Sequence, residues 1–298
     1  MIKQHIEIFY KVGEYRLKNT KICVGLLTYC PSNNPQKFSV LKKTVDSLSL
    51  LKECCEGVYI YVWDNNSSSE TKEYLKSKDL FDSYYMSEKN YYDVGAMHFL
   101  AEKAKSLNSP YAIHVEDDMC FYNKDFLNDS FLFMEKNKDC GALRVTKYEY
   151  DKMPKYDKLS NYPLKDHANA MRHLNWITKE SLTWQGPQKF GKNIFYKNNW
   201  HWTNFPSVCR TEILDTILPK TDCSPLNKFE GIMMKNYDKL NLSVGVLDGG
   251  ATTHLANTTT EASMRFKFCS SNNKPLSHTF ESVDYNKLSK QIQFFLRD

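Results

Sequence analysis

Three adjacent carboxylates, Glu116, Asp117 and Asp118, are the strongest chemical signal in the sequence. Neighbouring carboxylates repel one another, and a hard divalent cation such as Mg²⁺ or Mn²⁺ offsets that repulsion because it takes oxygen ligands. Such an ion also keeps coordination positions open for the phosphates of a substrate. Alternate residues of an extended segment face the same way. We therefore predict a metal site at Glu116 and Asp118, with a solvated acidic turn as the alternative.

A second polar run begins at Asp64-Asn65-Asn66 and continues through three serines. Carboxylate and amide groups in such a place can hydrogen-bond to the base or the ribose of a nucleotide. The alternative is an ordinary entry into a helix, with Asx-type turns and a serine cap. Asp64 and Asn65 are therefore candidates for nucleotide binding.

Both polar runs directly follow short apolar runs, and so does Thr28. Continuous apolar runs predict strands buried on both faces. Apolar residues spaced three or four apart between them predict amphipathic helices. Strands that alternate with helices are typical of a doubly wound α/β sheet, in which ligands bind beyond the carboxyl ends of the strands. We therefore expect Thr28, Asp64 and the three carboxylates at one edge of the sheet.

The predicted elements are most regular in the first half of the chain. Strands are predicted over 22–27, 58–63, 111–115, 141–146 and 242–247, and helices over 38–48, 69–76, 94–107, 229–240 and 285–296. Residues 150–205 show few clean periods, so we expect loops and short elements there.

The composition excludes several classes of protein. Of the 298 residues, 41% are hydrophobic, which is enough for a full core, and 40 Lys and Arg against 35 Asp and Glu give a net charge of +5. This mild excess permits an anionic substrate but lacks the charge blocks of a nucleic-acid-binding arm. No apolar run reaches the ~18 residues of a membrane span. The nine cysteines include no CxxC pair, so we expect reduced thiols in a cytoplasmic protein rather than a zinc site or a disulfide framework.

The order of the motifs resembles the GT-A glycosyltransferases, especially their large family-2-like group. In that family the first strand ends in a Thr/Asn loop, here within 24–34, and the second ends in an Asp-Asn-Gly-Ser-like turn, here with Asn66 at the usual glycine. An Asn-x-Gly segment, here within 90–96, precedes a third strand that ends in the DxD metal motif, here 116–118. The residues that the resemblance implies for donor binding are Thr28, Asp64, Asn65, Asn90, Gly95, Glu116 and Asp117.

Downstream, the family carries a Glu-Asp motif at the start of a helix, and its carboxylate is the general base in inverting members. Here Glu230 takes that place and is followed by Gly231, so Glu230 is the implied base. Asp238 and Asp248 are weaker candidates for the same role.

The family's metal site is often completed by a later histidine, which here implies that His254 joins Glu116 and Asp118 as a ligand. Residues 202–214 resemble the family's acceptor segment, and Trp184 is a further candidate on that side. The candidate acceptor-binding residues are Trp184, Trp202, Asn204 and Arg210.

The resemblance implies an α/β fold of the GT-A type, Rossmann-like, with a mostly parallel central sheet, helices on both faces and a C-terminal extension. We expect a catalytic domain over 1–255, with a donor half over 21–120 and an acceptor half over 121–255, and an extension over 256–298. The implied activity is Mn²⁺- or Mg²⁺-dependent transfer of a hexose or pentose from a nucleotide sugar. UDP is the family preference and inversion the family default. A cytoplasmic enzyme is expected, with peripheral membrane attachment left open.

The acceptor is less defined than the donor. Residues 189–202 mix lysines with aromatic residues. Aromatic rings stack on sugars and on extruded bases, and lysines contact phosphate, so a glycan and a hydroxylated base in DNA are both candidate acceptors. A surface loop with inward-packed rings is the alternative for this segment. Two other functions stay open: a nucleotidyltransferase-like enzyme that uses the same carboxylates, and a catalytically silent carbohydrate- or nucleic-acid-binding module, which Gly231 favours.

Overall fold

The computed structural model of the chain describes residues 22–31, 34–146, 184–199, 202, 206–221, 227–255 and 283–296. Strands and helices alternate in its first part, and the later part is more irregular. In chain order, the first elements are β1 (Ile22–Thr28), α1 (Pro35–Cys54), β2 (Val58–Asp64), α2 (Ser69–Lys76), β3 (Ser83–Met86), α3 (Tyr92–Ser106), β4 (Tyr111–Glu116) and β5 (Met119–Phe121). The later elements are α4 (Phe126–Lys136), β6 (Cys140–Arg144), β7 (Trp184–Phe190), β8 (Asn193–Asn198), β9 (Ser207–Arg210), α5 (Thr211–Ile217), α6 (Asn227–Lys239), β10 (Ser243–Leu247), β11 (Thr252–His254) and α7 (Tyr285–Phe295).

A nine-stranded sheet organises the described residues, in the order β3-β2-β1-β4-β9-β6-β10-β8-β7. Strands β3, β2, β1 and β4 are parallel neighbours, and so are β6 and β10. Strand β9 lies antiparallel between β4 and β6, so the two parallel groups run in the same direction. Strands β8 and β7 add an antiparallel hairpin at one edge. The predicted α/β class with a mostly parallel central sheet is confirmed.

Helices cover both faces of this sheet because its central strands are apolar on both sides. All seven residues of β1 are buried. Successive side chains of each strand point to opposite faces of the sheet. One face packs with α1, α2 and α4, and the other face packs with α3, α5, α6 and α7. We call these the α1 face and the α3 face. Burial of this kind is the main favourable contribution to folding.

The described structure confirms the predicted elements with shifts at their ends, the largest at α1, which spans Pro35–Cys54 where 38–48 was predicted. The helix over Ser69–Lys76 begins where predicted because the Ser68 side chain accepts a hydrogen bond from the Thr71 amide. The predicted strand over 141–146 is shorter, since it ends at Arg144. Eight elements of the described structure were not predicted, namely β3, β5, α4, β7, β8, β9, α5 and β11. Residues 150–183 lie outside the described residues, and 184–198 form the β7–β8 hairpin.

The predicted C-terminal helix is present as α7 and packs on the α3 face. The Phe295 ring lies 5.8 Å from that of Trp63 and 5.6 Å from that of Tyr85, and Leu288 and Ile292 are buried in the same core. This helix therefore stabilises the sheet against which it packs. Within the described residues, no helix combines the length and apolar character needed to cross a bilayer.

Candidate functional site

The carboxyl ends of β1, β2 and β4 meet at one edge of the sheet, as predicted. Thr28 pairs in register with Asp64, and Leu27 pairs with Glu116. Because successive side chains of a strand point to opposite faces, these residues divide between two sides of that edge. Thr28 and Asp64 lie on the α1 face, whereas Glu116 lies level with Leu27 on the α3 face.

On the α1 face, Asp64 and Thr28 each present a polar atom that has no hydrogen bond to any described residue. Both side chains are buried, and Asp64 Oδ2 accepts a hydrogen bond from the Ser67 amide at 3.0 Å and lies 3.8 Å from Lys72 Nζ. The second oxygen of Asp64, Oδ1, and the Thr28 hydroxyl have no partner among the described residues. Burial raises the pKa of Asp64, and contacts with Ser67 and Lys72 oppose that rise. Buried polar atoms are normally satisfied, so these two are suited to hydrogen-bonding a ligand.

Asp117 lies on the same side but is engaged within the protein. Its Oδ2 accepts a hydrogen bond from the Tyr29 amide at 2.9 Å and lies 3.3 Å from Lys37 Nζ. The Thr44 hydroxyl donates to its carbonyl oxygen at 3.0 Å. Burial raises the pKa of Asp117, and the charge of Lys37 opposes this rise. Asp117 therefore holds the turn after β4 against the loop after β1.

Asn65 and Asn66 form the turn after β2, and their roles differ. Asn66 has a φ of 64°, in the left-handed region that glycine adopts most easily and that asparagine tolerates best among other residues. The Asn65 Oδ1 accepts hydrogen bonds from Trp63 Nε1 at 3.0 Å and from the Tyr91 amide at 3.1 Å. Its Nδ2 donates to the Tyr92 carbonyl at 3.1 Å. Asn65 thus fixes the start of α3 to the end of β2.

Asn90 and Gly95 also shape the start of α3. The Asn90 Oδ1 accepts a hydrogen bond from the Tyr92 amide at 2.8 Å. A Cβ at Gly95 would lie 2.6 Å from that of Tyr91 and 3.1 Å from the Trp63 ring, so a larger residue would push the helix away. These contacts position the first turn of α3, which carries Asp93.

On the α3 face, three metal-ligating side chains come together. Asp93, His114 and Glu116 each offer a ligand atom, and these atoms lie within 4.8 Å of one another. His114 is only 5% exposed, and its Nε2 has no hydrogen-bond partner among the described residues. Burial lowers the pKa of His114 from 6.5 to about 4, so the imidazole is neutral at pH 7. A neutral imidazole is the form that binds a metal ion.

Sequence reasoning identified Glu116 but missed Asp93 and His114. His114 lies within the apolar run of β4, which hides it among core residues, although its spacing of two from Glu116 places both on one face of the strand. Asp93 belongs to the first turn of a helix, where an acidic residue is common because it favours the helix dipole. The structure brings it to the cluster through the contacts of Asn65.

The other two predicted metal ligands are Asp118 and His254. Asp118 lies in the turn after β4, and His254 lies in β11, the strand that pairs with β5. Asp118 lies between β4 and β5, and its carboxylate is not among the three mutually close groups. His254 pairs through its backbone with Met119, and the Leu255 amide donates to the Asp118 carbonyl at 2.7 Å. The backbones at 118 and 254 are therefore neighbours, as a shared site requires.

Glu230 lies in the first turn of α6 and is partly exposed. This helix packs on the α3 face: the Phe229 ring lies 6.2 Å from that of His98 in α3. At its other end, Tyr237 packs over Gly141, whose Cβ would lie 2.8 Å from the Tyr237 hydroxyl. Gly141 is near the amino end of β6. Asp238 therefore lies toward the amino ends of the parallel strands, whereas the metal-ligating cluster lies at their carboxyl ends.

Of the predicted acceptor residues, the three that the structure describes lie at different places in the fold. Trp202 is buried in the core of the α3 face. Arg210 pairs with Tyr111 at the amino end of β4, and its guanidinium donates to the Cys140 and Met134 carbonyls. Trp184 begins β7 at the edge of the sheet. Asn204 lies outside the described residues.

The basic and aromatic segment is partly a hairpin with inward-packed rings. Phe195 stacks on Phe133 with their centroids 5.0 Å apart, and Phe190 contacts both rings. Lys189 and Lys192 are exposed on the hairpin. The structure therefore gives a packing role to these two aromatic residues and leaves the lysines at the surface.

A buried cation that sequence reasoning missed lies two strands from the cluster. Arg144, at the end of β6, is buried and pairs with Ser207 in β9. Val208 pairs with Ile113, so the register places His114, Ser207 and Arg144 in one row across the α3 face. The spacing of strands puts the backbones of His114 and Arg144 roughly 10 Å apart.

Comparisons with known proteins find similarity only among solved structures. No protein-family model matches the sequence, and no curated protein matches it. The chain is similar to Staphylococcus aureus TarS 1–349 in complex with UDP, with 17% identity, a TM-score of 0.46, and coverage of 78% of this chain and 60% of that one. It is similar to the Pyrobaculum calidifontis mannosyltransferase PcManGT in complex with GDP-Man and Mn²⁺, with 12% identity, a TM-score of 0.46, and coverage of 82% and 63%.

A synthetase of a different reaction class is similar to the same degree. The CMP:2-keto-3-deoxy-manno-octonic acid synthetase complexed with CTP has 11% identity and a TM-score of 0.43, with coverage of 83% of this chain and 100% of that one. The similar structures thus include a mannosyltransferase, whose class is the one that the motifs resemble, and a synthetase. At TM-scores below 0.5 these similarities carry no argument about activity, which must come from the site.

Proposed function

We propose that the chain is a metal-dependent glycosyltransferase that moves a sugar from a nucleotide sugar, with UDP as the nucleotide, to a hydroxyl group. One observation carries this proposal. A single edge of the sheet holds two unlike groups of side chains, the Thr28–Asp64 pair and the cluster of Asp93, His114 and Glu116. The pair suits hydrogen bonds to a nucleoside, and the cluster suits a divalent cation that faces a diphosphate.

The residues fit a metal ion by their chemistry. Glu116 belongs both to the predicted ligand set, with Asp118 and His254, and to the observed cluster. Carboxylate oxygens suit Mg²⁺ and Mn²⁺, and the imidazole nitrogen of His114 adds a donor that Mn²⁺ accepts. When bound, a divalent cation supplies positive charge that offsets the negative charge growing on the departing nucleoside diphosphate.

The chain's own groups bind the donor and handle the proton. The Oδ1 of Asp64, which has no partner among the described residues, accepts a hydrogen bond from the nucleoside, and the Thr28 hydroxyl donates or accepts a second one. Lys37 and Lys72 add positive charge at the same edge. As the acceptor oxygen bonds to the sugar carbon and the bond to the diphosphate breaks, Glu230 takes the hydroxyl proton. The proposal includes inversion of configuration at the sugar carbon. It also includes a hexose or pentose as the sugar that is transferred, and a glycan or a hydroxylated base in DNA as the acceptor.

The donor is tested by calorimetric titration of a panel of nucleotide sugars and a nucleoside triphosphate, with and without Mn²⁺. Asp64→Asn keeps the shape of the side chain and removes its charge, so we expect binding of one UDP-sugar to weaken at least ~10-fold, as for a lost charged hydrogen bond. Asp46→Asn is the matched control, because Asp46 is an exposed carboxylate that pairs with Lys78 at 3.5 Å.

The same titrations separate the competing functions. Tighter binding of the triphosphate than of any nucleotide sugar would favour a nucleotidyltransferase. Binding of a UDP-sugar without hydrolysis or transfer to any glycan or hydroxylated-DNA acceptor would favour a silent binding module. If no nucleotide binds to the wild type or to the control variant, the glycosyltransferase proposal is wrong.

A further inference from the structure

We propose that Asp93, His114 and Glu116 form the cation site, with an imidazole nitrogen of His114 as a direct ligand. This goes beyond the predicted set of Glu116, Asp118 and His254, because two of the three ligands come from α3 and from the middle of β4. It rests on the proposed function only for the role of the ion, and the site itself can be tested with the metal alone.

The three groups are spaced as a metal-binding set. Ligand bonds of ~2.1 Å allow donors on opposite sides of one ion to lie no more than ~4.2 Å apart. The ligand atoms of Asp93, His114 and Glu116 already lie within 4.8 Å of one another. A small rotation of the carboxylates is therefore enough to bring all three donors to one ion.

His114 is the observation that points to a ligand rather than to an acidic surface patch. Its side chain is 5% exposed, and its Nε2 has no hydrogen-bond partner among the described residues. It lines a small cavity whose other described residues are mostly apolar, Met97, Leu100 and Trp202 among them, with Ser207 as the one hydroxyl. A buried imidazole in such a place gains a strong partner when a cation binds between it and the two carboxylates.

The scaffold holds the three ligands in place before any ion arrives. His114 and Glu116 lie two apart on a central strand that pairs with β1 on one side and β9 on the other. Asp93 follows directly after the segment that Asn65 holds through the Tyr91 amide and the Tyr92 carbonyl. Both carboxylates also take part in other interactions within the chain. A carboxylate has two oxygens that accept several contacts, so this does not prevent metal binding.

The nitrogen ligand determines which ions fit. Mg²⁺ and Ca²⁺ prefer oxygen ligands throughout, whereas Mn²⁺, Co²⁺ and Zn²⁺ accept imidazole. We therefore expect the protein, freed of metal by a chelator, to bind Mn²⁺ at least ~10-fold more tightly than Mg²⁺, as a borderline ion does at a mixed nitrogen and oxygen site.

The deciding experiment is electron spin echo spectroscopy of Mn²⁺ bound to the full chain, in which a directly coordinated ¹⁴N gives a strong modulation. The wild type should show ¹⁴N modulation, and His114→Gln should lose it and bind Mn²⁺ at least ~10-fold more weakly. His254→Gln tests the competing ligand set. His98→Gln is the matched control, because His98 is an equally buried histidine of α3 that lies outside the cluster.

Each result supports or overturns the proposal. Modulation that is lost in His114→Gln and kept in His254→Gln and His98→Gln supports it. Modulation that survives in His114→Gln, or that the wild type lacks, overturns it. If His114→Gln does not fold, as judged by circular dichroism, Asp93→Asn replaces it and should weaken Mn²⁺ binding while the ¹⁴N signal remains. Nucleotide-sugar binding and transfer, measured both with Mn²⁺ and in chelator, separately test the proposed function, which fails if donor binding or transfer is absent in both conditions.

Discussion

Replacing Asn65 by alanine should destabilise the protein and loosen the metal-ligating cluster together. Asn65 is 1% exposed and makes three hydrogen bonds, with Trp63 Nε1, the Tyr91 amide and the Tyr92 carbonyl. Each such bond contributes about 1 kcal/mol net, and a buried group left without a partner costs about 1–3 kcal/mol. We therefore expect Asn65→Ala to lower the free energy of unfolding by about 3 kcal/mol, at an unchanged denaturant slope.

The measurement is urea denaturation, with and without Mn²⁺, on the wild type, Asn65→Ala and Asn90→Ala. Asn90 is the control, because its side chain makes one bond to the same segment, from the Tyr92 amide. Its replacement should cost about 1 kcal/mol. Since Asp93 follows that segment, the stabilisation that Mn²⁺ gives the wild type should shrink in Asn65→Ala. A loss of stability below 1 kcal/mol in Asn65→Ala, or an undiminished effect of Mn²⁺, would show that Asn65 does not position α3.

Two further predictions concern stability alone. Gly231 lies in α6, and a Cβ there would meet nothing within 4 Å, so Gly231→Ala should raise the free energy of unfolding by about 0.5–1 kcal/mol in a urea titration; a decrease would mean that the helix needs glycine at this place. Burial lowers the pKa of His98 from 6.5 to about 4. As the pH falls, the unfolded chain therefore takes up the proton before the folded chain does. The free energy of unfolding linked to this group is complete above pH 6.5 and is lost as the pH falls to 4. This loss is up to about 3 kcal/mol, and His98→Gln should flatten the fall measured by denaturation at several pH values; an unchanged slope would contradict the assignment to His98.

The sequence predicts the donor half of the fold well because local signals and tertiary packing agree there. The helix Ser69–Lys76 has a serine cap, and β1 and β2 are continuous apolar runs. Strand β3 was missed because it has only four residues, Ser83–Met86, too few to stand out as a strand. Helix α4 is apolar on several sides, with Phe126, Phe131 and Phe133 all buried, so its periodicity is weak.

The sequence indicates the end of the sheet where the candidate site lies more clearly than it indicates the residues proposed for that site. Residues at the ends of strands, such as Asp64 and Glu116, are marked by the change from apolar to polar. His114 carries no such mark, because it is surrounded by core residues of the same strand. Asp93 depends on where α3 starts, and that start has no side-chain cap of its own but is set by the distant Asn65.

The α1 face and the α3 face should contact different parts of one nucleotide ligand. This can be tested by comparing the binding of uridine with the binding of UDP. Asp64 and Glu116 lie on strands separated only by β1, so their backbones are roughly 10 Å apart, a span suited to an extended nucleoside diphosphate. If Asp64 binds the nucleoside and His114 acts through the ion, Asp64→Asn should weaken binding of uridine, whereas His114→Gln should leave it unchanged. Both variants should weaken binding of UDP with Mn²⁺, and their effects should add in the double variant, because the groups are distant and share no partner. Calorimetry that finds uridine binding lowered by His114→Gln would instead place the nucleoside on the α3 face, and the division of roles between the two faces would be wrong.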